Sequence, residues 1–379
     1  MANPGALTLS AYSAAAGIDA VAWDRLAATA DPFVGRGFLG NLEIHGAVDG
    51  KLGWMPCHLG LADNEGTLAG LAPTYVKTNA FGDFLRDWSW PEAFARRGIA
   101  YFPKLVTGVP YTPATGHRLL AASDDVRRQL IRGVIELVRA RGLSSWHVAF
   151  PRPEEAALLD EAGLLAQHNV QFHWFNRGYT DFDDYLATFT SAKRRKLRAD
   201  RRKVAEAGVT VRMHTGTQVP AELWPHLHAF YAATFRRYGN HPALSAECWA
   251  ALGAALGERM VVFVAFRDRQ PLAVAFCFRG DDVLFGRYWG AAEEIPGLHF
   301  ELCYYQGIDY CIRHGVQRFE PGAGGEHKLA RGFEPVRVGT WHWIADPFMR
   351  DALRRHLERV ADSVEEYRQA AEEHLPFRL

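Results

Sequence analysis

Two stretches of this chain close in the same way 169 residues apart: Phe172-His173-Trp174 and Trp341-His342-Trp343. A glycine step precedes each at that same separation, Ala162-Gly163-Leu164 against Arg331-Gly332-Phe333. Further upstream, two helix-ending glycines, Gly142 and Gly315, lie 173 residues apart. The later copy is therefore four residues shorter in one loop. Repetition at this scale restricts the fold more than any single motif does, because each copy must bury its own apolar face.

The order of elements repeats as well. Residues 52–61 and 67–76 flank Asp63-Asn64-Glu65-Gly66, and residues 268–279 and 282–290 flank Gly280-Asp281. Each pair reads as a β-hairpin. A helix follows in each copy. Within 124–141 the apolar positions 126, 130, 131, 134, 135 and 138 have helical spacing, and 298–314 is a helix closed by Gly315. Then come a strand, a short helix, a glycine and a last strand: 145–150, 154–162 and 166–175 in the first copy, 317–320, 326–331 and 336–343 in the second. The pattern predicts an internal duplication of an α/β (α+β) unit, with mixed, mostly antiparallel sheets and flanking helices. The expected domains are 1–180 and 181–379. The second carries a basic helix at 191–203 and a long amphipathic helix at 347–373, expected to pack on that second domain.

Length agrees with two domains, since 379 residues are many for one core. A charged fraction of 23% with 43 basic and 43 acidic residues describes a globular chain with no global field to gather DNA or a membrane. The opening residues lack the pattern of a signal peptide, and no apolar run reaches about 18 residues, so no transmembrane segment is expected. The five scattered cysteines fit reduced thiols and a cytoplasmic setting. No CxxC or HExxH occurs, and His226 and His228 beside Trp224 read as packing or surface residues, so no metal is expected.

Local charge is another matter. Residues 193–203 hold eight basic side chains and one acid, Asp200. Arg194, Arg198, Arg201 and Arg202 share one face at helical spacing. Two readings stay open: a solvated helix between domains, or a polyanion site for a tRNA acceptor stem, the acidic helix of a carrier protein or a phospholipid headgroup. No aromatic residue interrupts the run, so base stacking there is not expected.

The stretch 318–343 concentrates chemistry. Gly322, Gly324 and Gly325 leave the backbone nearly bare, and Glu326, His327, Lys328 and Arg331 follow at once. Bare amides at a helix start suit an anion or a developing oxyanion, and the ionisable side chains suit acid–base work. The first copy has Pro151 and Pro153 at this turn instead of glycines.

Several stretches together carry a family resemblance: Trp88-Ser89-Trp90, Tyr101-Phe102-Pro103-Lys104-Leu105, Trp146-His147-Val148-Ala149-Phe150, Gln171-Phe172-His173-Trp174, the basic run, Gly286-Arg287-Tyr288-Trp289-Gly290, His299-Phe300-Glu301, Tyr304-Tyr305, and Glu320 through Arg331-Gly332. Nearly the whole chain resembles the Fem-like predicted N-acyltransferases, a peptidoglycan biosynthesis protein-like group with the N-acetyltransferase (GNAT) fold present twice. Gly324 departs from that pattern, which has a longer polar residue there. The resemblance implies transfer of a fatty acyl or aminoacyl group to an amine of a peptide or small molecule.

On that reading Glu320 is the first choice of general base, His327 the second and Glu301 the third. Arg287, Lys328 and Arg331 are candidates to hold a phosphate or carboxylate. Tyr288, Trp289, Tyr304 and Tyr305 are candidates for an acyl pocket, with core packing as the alternative, and His299 joins the substrate-binding set. Lys104 and His147 are weaker candidates from the first copy. Arg194, Arg198 and Arg202 would meet a polyanion. No tightly bound cofactor is expected. The loop 290–297 lacks the acyl-CoA fingerprint: Glu293 and Glu294 oppose a pyrophosphate, and Pro296 has no amide to give it. An aminoacyl-tRNA or acyl-carrier protein is thus the expected donor and acyl-CoA the less favoured one. A non-catalytic tandem module that binds a peptide or an anionic partner is the alternative function.

Overall fold

The computed structural model describes residues 7–28 and 31–378. The described residues form two compact units, one drawn from the stretches 1–169 and 337–365, the other from 170–336 and 366–379. In the first unit lie β1 (Thr8–Tyr12), α1 (Ala20–Leu26), α2 (Arg36–Ile44), β2 (Trp54–Pro56), β3 (His58–Ala62), β4 (Leu68–Ala72), β5 (Thr74–Lys77), α3 (Trp90–Ala95), β6 (Lys104–Thr107), β7 (Leu120–Ala121), α4 (Asp124–Ala140), β8 (Ser145–Ala149) and α5 (Pro153–Glu161). Strand β9 (Leu165–Phe175) carries the chain into the second unit. There follow α6 (Phe182–Ala187), α7 (Ser191–Glu206), β10 (Thr210–Thr215), α8 (Trp224–Arg237), α9 (Ala246–Leu256), β11 (Met260–Arg267), β12 (Gln270–Arg279), β13 (Val283–Ala291), α10 (Leu298–Phe300), α11 (Gln306–Arg313) and β14 (Arg318–Glu320). Strand β15 (Glu334–Ile344) returns the chain to the first unit, and α12 (Pro347–Glu372) follows.

The first predicted hairpin is split between two sheets. Pro73 has no amide to give a ladder, so the chain breaks there between β4 and β5. Strand β3 pairs with β4 in one sheet, and β2 pairs with β5 in the other. Helix α4 behaves as its periodicity predicts. Ser123 caps it by accepting from the Val126 amide, and Asp124 and Asp125 sit in its first turn, where the helix dipole favours them. Its buried stripe, Leu130, Ile131, Val134, Ile135 and Val138, packs with Leu105, Trp146, Val148 and Trp341. Each such side chain contributes on the order of 1.5–3 kcal/mol by leaving water.

In the second unit β10, β11, β12 and β13 form an antiparallel meander, and β13 then pairs parallel to β14. The crossover between them is one continuous helical segment, α10, a π-helical turn at Glu301–Tyr305, and α11. The first unit repeats this plan: β6 runs parallel to β8, with α4 as the crossover. Both units are mixed, mostly antiparallel sheets with flanking helices.

The last strand of each copy is exchanged. Strand β8 pairs with β15, Trp146 opposite Trp343 and His147 opposite His342. Strand β14 pairs with β9, Phe319 opposite Trp174. The units therefore differ from a simple division at residue 180: residues 337–365 belong with the first. Helix α12 goes with them. It starts three residues after β15 ends, so it covers the face that strand reaches, setting Met349, Leu353 and Leu357 on Trp90, Phe94, Tyr101 and Ile344. The expectation that this helix packs on the second domain is corrected for its residues up to 365. Its final residues, from 366, do belong to the second unit.

Candidate active site

The site opens where two parallel strands part. Pairing of β13 with β14 runs through Val283–Arg318, Leu284–Phe319 and Phe285–Glu320 and then stops. Beyond it the ladder between β12 and β13 carries a bulge, with Phe276 opposite Tyr288 but Cys277 opposite Gly286, so Arg287 is the extra residue. A bulge re-aims side chains beside it. Beyond Glu320 the chain turns away through Gly322, Gly324 and Gly325, all with φ between 73° and 94°, a region that disfavours a side chain. A cavity of about 370 Å³ fills the wedge. Arg287, Tyr288 and Trp289 line one side, the turn from Pro321 to Lys328 another, and His299, Cys303 and Tyr304 a third. The π-helical turn places Cys303 and Tyr304 there, a distortion often found at functional sites.

His327 is exposed at the cavity, and its Nε2 lies 2.8 Å from the Tyr304 hydroxyl. Burial, with Lys328 and Arg331 close by, holds the imidazole below its ordinary value. Burial pushes His299 down to about 4, with His327, Arg331 and Lys328 adding to it. Both rings are therefore neutral near pH 7. Lys328 is buried and donates to the Gly322 carbonyl at 2.6 Å. Its burial lowers it to about 7, so it holds and releases a proton near neutrality. Burial pushes the Tyr304 phenol well up, so it stays protonated. The arrangement pairs a neutral imidazole with a hydroxyl donor, beside Arg287 and Lys328 on the cavity lining, which suit a developing negative charge.

Of the residues singled out in sequence, Arg287, Tyr288, Trp289, His299, Tyr304, His327 and Lys328 meet at this cavity. Others do not. Glu320 is buried behind Pro321 rather than on the lining, and its carboxylate accepts from Arg318 Nε at 3.0 Å. Glu301 is buried and held bidentately by Arg201, at 2.9 and 3.1 Å, and accepts from Gln306 as well, so it is not free to take a proton from a substrate. Arg331 stacks 3.4 Å over Phe300 and bonds the Tyr305 hydroxyl and the His327 carbonyl, so it braces the turn rather than clamping a ligand. Tyr305 is core. Along α7 the outer arginines are Arg195, Arg198 and Arg202, whereas Arg194 turns toward the Phe189 carbonyl.

Lys104 and His147 are sealed inside the first unit. Lys104 pairs with Asp83 at 3.2 Å and with Asp87, which also accepts from Tyr101. The Nδ1 atoms of His147 and His342 meet at 2.6 Å. The corresponding wedge there is plugged. The Gly116 amide donates to the Phe150 carbonyl, Arg118 donates to the carbonyls of Ala149 and Ala114, and Glu155 accepts from the amides of Arg118 and Leu119. Among the described residues, no group of three or more His, Cys, Asp or Glu is placed to hold a metal ion.

Sequence reasoning missed several residues of this region. Cys303 and Tyr238 line the cavity, and His173 approaches Glu320. Only His173 carried a signal, the repeated aromatic-His-Trp triplet.

No curated protein matches the chain. Similar solved structures include FemX, 11% identical over 82% of this chain and 93% of that one, with a TM-score of 0.49. The C-terminal domain of a putative lysylphosphatidylglycerol synthetase from Agrobacterium fabrum is 12% identical over 76% of this chain and 85% of that one, with a TM-score of 0.48. A tandem GNAT protein from the clavulanic acid biosynthesis pathway is 12% identical over 90% and 99%, with a TM-score of 0.42. The FemAB-like family, described by peptidoglycan biosynthesis/recognition, matches residues 14–379, and this chain belongs to it.

Proposed function

We propose that the second unit transfers an acyl group from a carrier-bound donor to the amine of a peptide or small molecule. That the chain is an acyltransferase is the reaction class of its family. The observation that supports the placing of that reaction is the Tyr304–His327 pair, 2.8 Å apart at the open wedge. The amine nitrogen attacks the acyl carbon, a C–N bond forms, and the bond to the carrier's oxygen or sulfur breaks. Neutral His327 takes the amine proton, and the Tyr304 hydroxyl gives its own to the departing atom as the imidazolium returns a proton to the phenol oxygen through their 2.8 Å bond, so both groups end as they began. Lys328 and Arg287 offset charge on the acyl oxygen.

The donor is an aminoacyl-tRNA or an acyl-carrier protein in preference to acyl-CoA. Glu293 pairs with Arg267 and Glu294 with Arg237, each at 2.7 Å, so the arginines near that loop are already engaged. The Ala292 amide is spent on the Leu272 carbonyl. On α7, Arg195, Lys193, Lys196 and Lys203 are exposed, and Arg198 and Arg202 stand beside them in exposed pairs with Asp183 at 2.8 Å and Glu206 at 3.6 Å, so this face offers a polyanion a denser run of cations. Cysteines 57, 248, 277, 303 and 311 are free thiols, in keeping with a reducing cytoplasm.

The test is amide formation on amine acceptors, followed by mass, with aminoacyl-tRNA, acyl-carrier protein and acyl-CoA supplied in turn. The reading expects turnover with one of the first two and a raised KM for it in Arg195→Gln/Arg198→Gln/Arg202→Gln. The salt slope of binding should also flatten by roughly one unit per lost contact. Efficient turnover with acyl-CoA alone would overturn the donor assignment. Binding of a peptide or anion with no turnover on any donor would leave a non-catalytic module.

A further inference from the structure

Helix α7 does more than carry cations outward. Its inner side is anchored by Leu197 and Val204, both buried, and between them Asp200 and Arg201 point at the site helices. Arg201 grips Glu301, the first residue of the π-helical turn, with two nitrogens at 2.9 and 3.1 Å, and reaches Asp309 at 3.2 Å. Its guanidinium lies 4.5 Å over the Phe182 ring, which fixes its plane. Asp200 takes the other end of the same turn. Its Oδ2 accepts from the Tyr305 hydroxyl at 3.3 Å and stands 3.5 Å from Arg331. Arg331 in turn donates to the His327 carbonyl at 2.8 Å.

Two neighbouring residues of one helix thus hold the turn that carries Tyr304 at its two ends, and one of them, through Arg331, also holds the backbone of His327. The π-helical turn departs from α-helical bonding, and these ties meet it at both ends. The geometry points to Asp200 and Arg201 as positioning residues that set the Tyr304–His327 distance, an inference that rests on the acyl-transfer reading of that pair. They touch no substrate. They act through Glu301 and Arg331, and they join the surface offered to the donor to the reacting atoms.

The test compares Asp200→Asn, Arg201→Gln, Arg201→Lys and the double variant Arg201→Gln/Glu301→Gln. The double variant removes the carboxylate that Arg201→Gln alone would leave buried without its cation, so it keeps the protein folded if the single variant fails. The expected result is a kcat at least about tenfold lower in Asp200→Asn, Arg201→Gln and the double variant, with KM for the donor within about twofold. Arg201→Lys should recover part of the loss. A second readout needs no substrate. NMR titration of His327, faced by Tyr304, His299, Lys328 and Arg331, should move toward the ordinary imidazole value in Arg201→Gln as the ring leaves its partners. If kcat follows only the folded fraction and the His327 titration is unmoved, the positioning role is overturned. If His327→Ala itself retains full kcat, the acyl-transfer assignment falls instead, and the titration still decides whether α7 holds the ring.

Discussion

Glu320 and His173 face one another in the second unit, carboxylate oxygen to ring nitrogen, 3.9 Å apart. The first unit holds His147 and His342 in the equivalent places: His147 pairs parallel with Val106 as Glu320 does with Phe285. Both pairs are buried. The duplication thus kept a polar pair beneath each wedge, while only the second wedge stayed open. Glu320→Gln is accordingly expected to lower kcat by less than about tenfold, whereas His327→Ala should lower it by about 10²–10⁴. Steady-state kinetics on the two folded variants decides this, and the reverse order would return the base to Glu320.

The glycine turn separates strain from clash. A Cβ at Gly325 would lie 2.6 Å from His327 Cε1, while at Gly324 it would meet nothing within 4 Å. Both have positive φ, so alanine at either costs roughly 1–2 kcal/mol. Gly325→Ala should also displace the imidazole and lower kcat at least about tenfold, with Gly324→Ala within about twofold of the parent. Thermal unfolding and kcat measured side by side test the pair. Equal losses of activity would show that the turn acts through stability alone.

Acid should unfold the protein through its buried rings. Burial holds His173 and His342 at about 3 in the folded state, against about 6.5 in an unfolded chain. Between those values the unfolded chain binds a proton that the native state refuses. Stability is therefore complete above about pH 6.5 and is lost as pH falls toward 3, at roughly 1.4 kcal/mol per ring per pH unit. Urea midpoints from pH 7 to 4 should fall, and His342→Gln should fall less steeply. An identical slope in that variant would contradict the assignment.

Lys328 predicts the opposite end of the scale. Its folded value of about 7 lies below the ordinary value of about 10.4, so the unfolded state binds more protons between them. Stability gained from this site rises with pH across that window and is absent below 7. Lys328→Met should be more stable than the parent at pH 6 by a few kcal/mol, the difference closing toward pH 10. Denaturant titrations at the two pH values test it, and a constant difference would rule out a lowered lysine.

Much of this was legible in the chain. Helix α4 could be read from its apolar stripe and its Ser123 cap, and the offsets of 169 and 173 residues exposed the duplication. Periodicity tells which face of a strand is buried but not which strand lies beside it, so the exchange of β9 and β15 was out of reach. The same limit hid the fate of Glu301. Its partner Arg201 is 100 residues away, and a carboxylate held by a guanidinium looks like a free base in sequence. On α7 the difference between Arg194 and Arg195 is one residue of helical rotation, set by where Leu197 and Val204 bury.

The exchange has a consequence for biosynthesis. His147 in β8 waits for His342 in β15, 195 positions later. While the ribosome makes that interval, β8 presents an unpaired edge, the kind of backbone row that recruits stray strands. Contacts this distant in sequence form slowly, since loop closure precedes any reward from pairing. The first half's sheet is therefore complete only once nearly the whole chain has been translated.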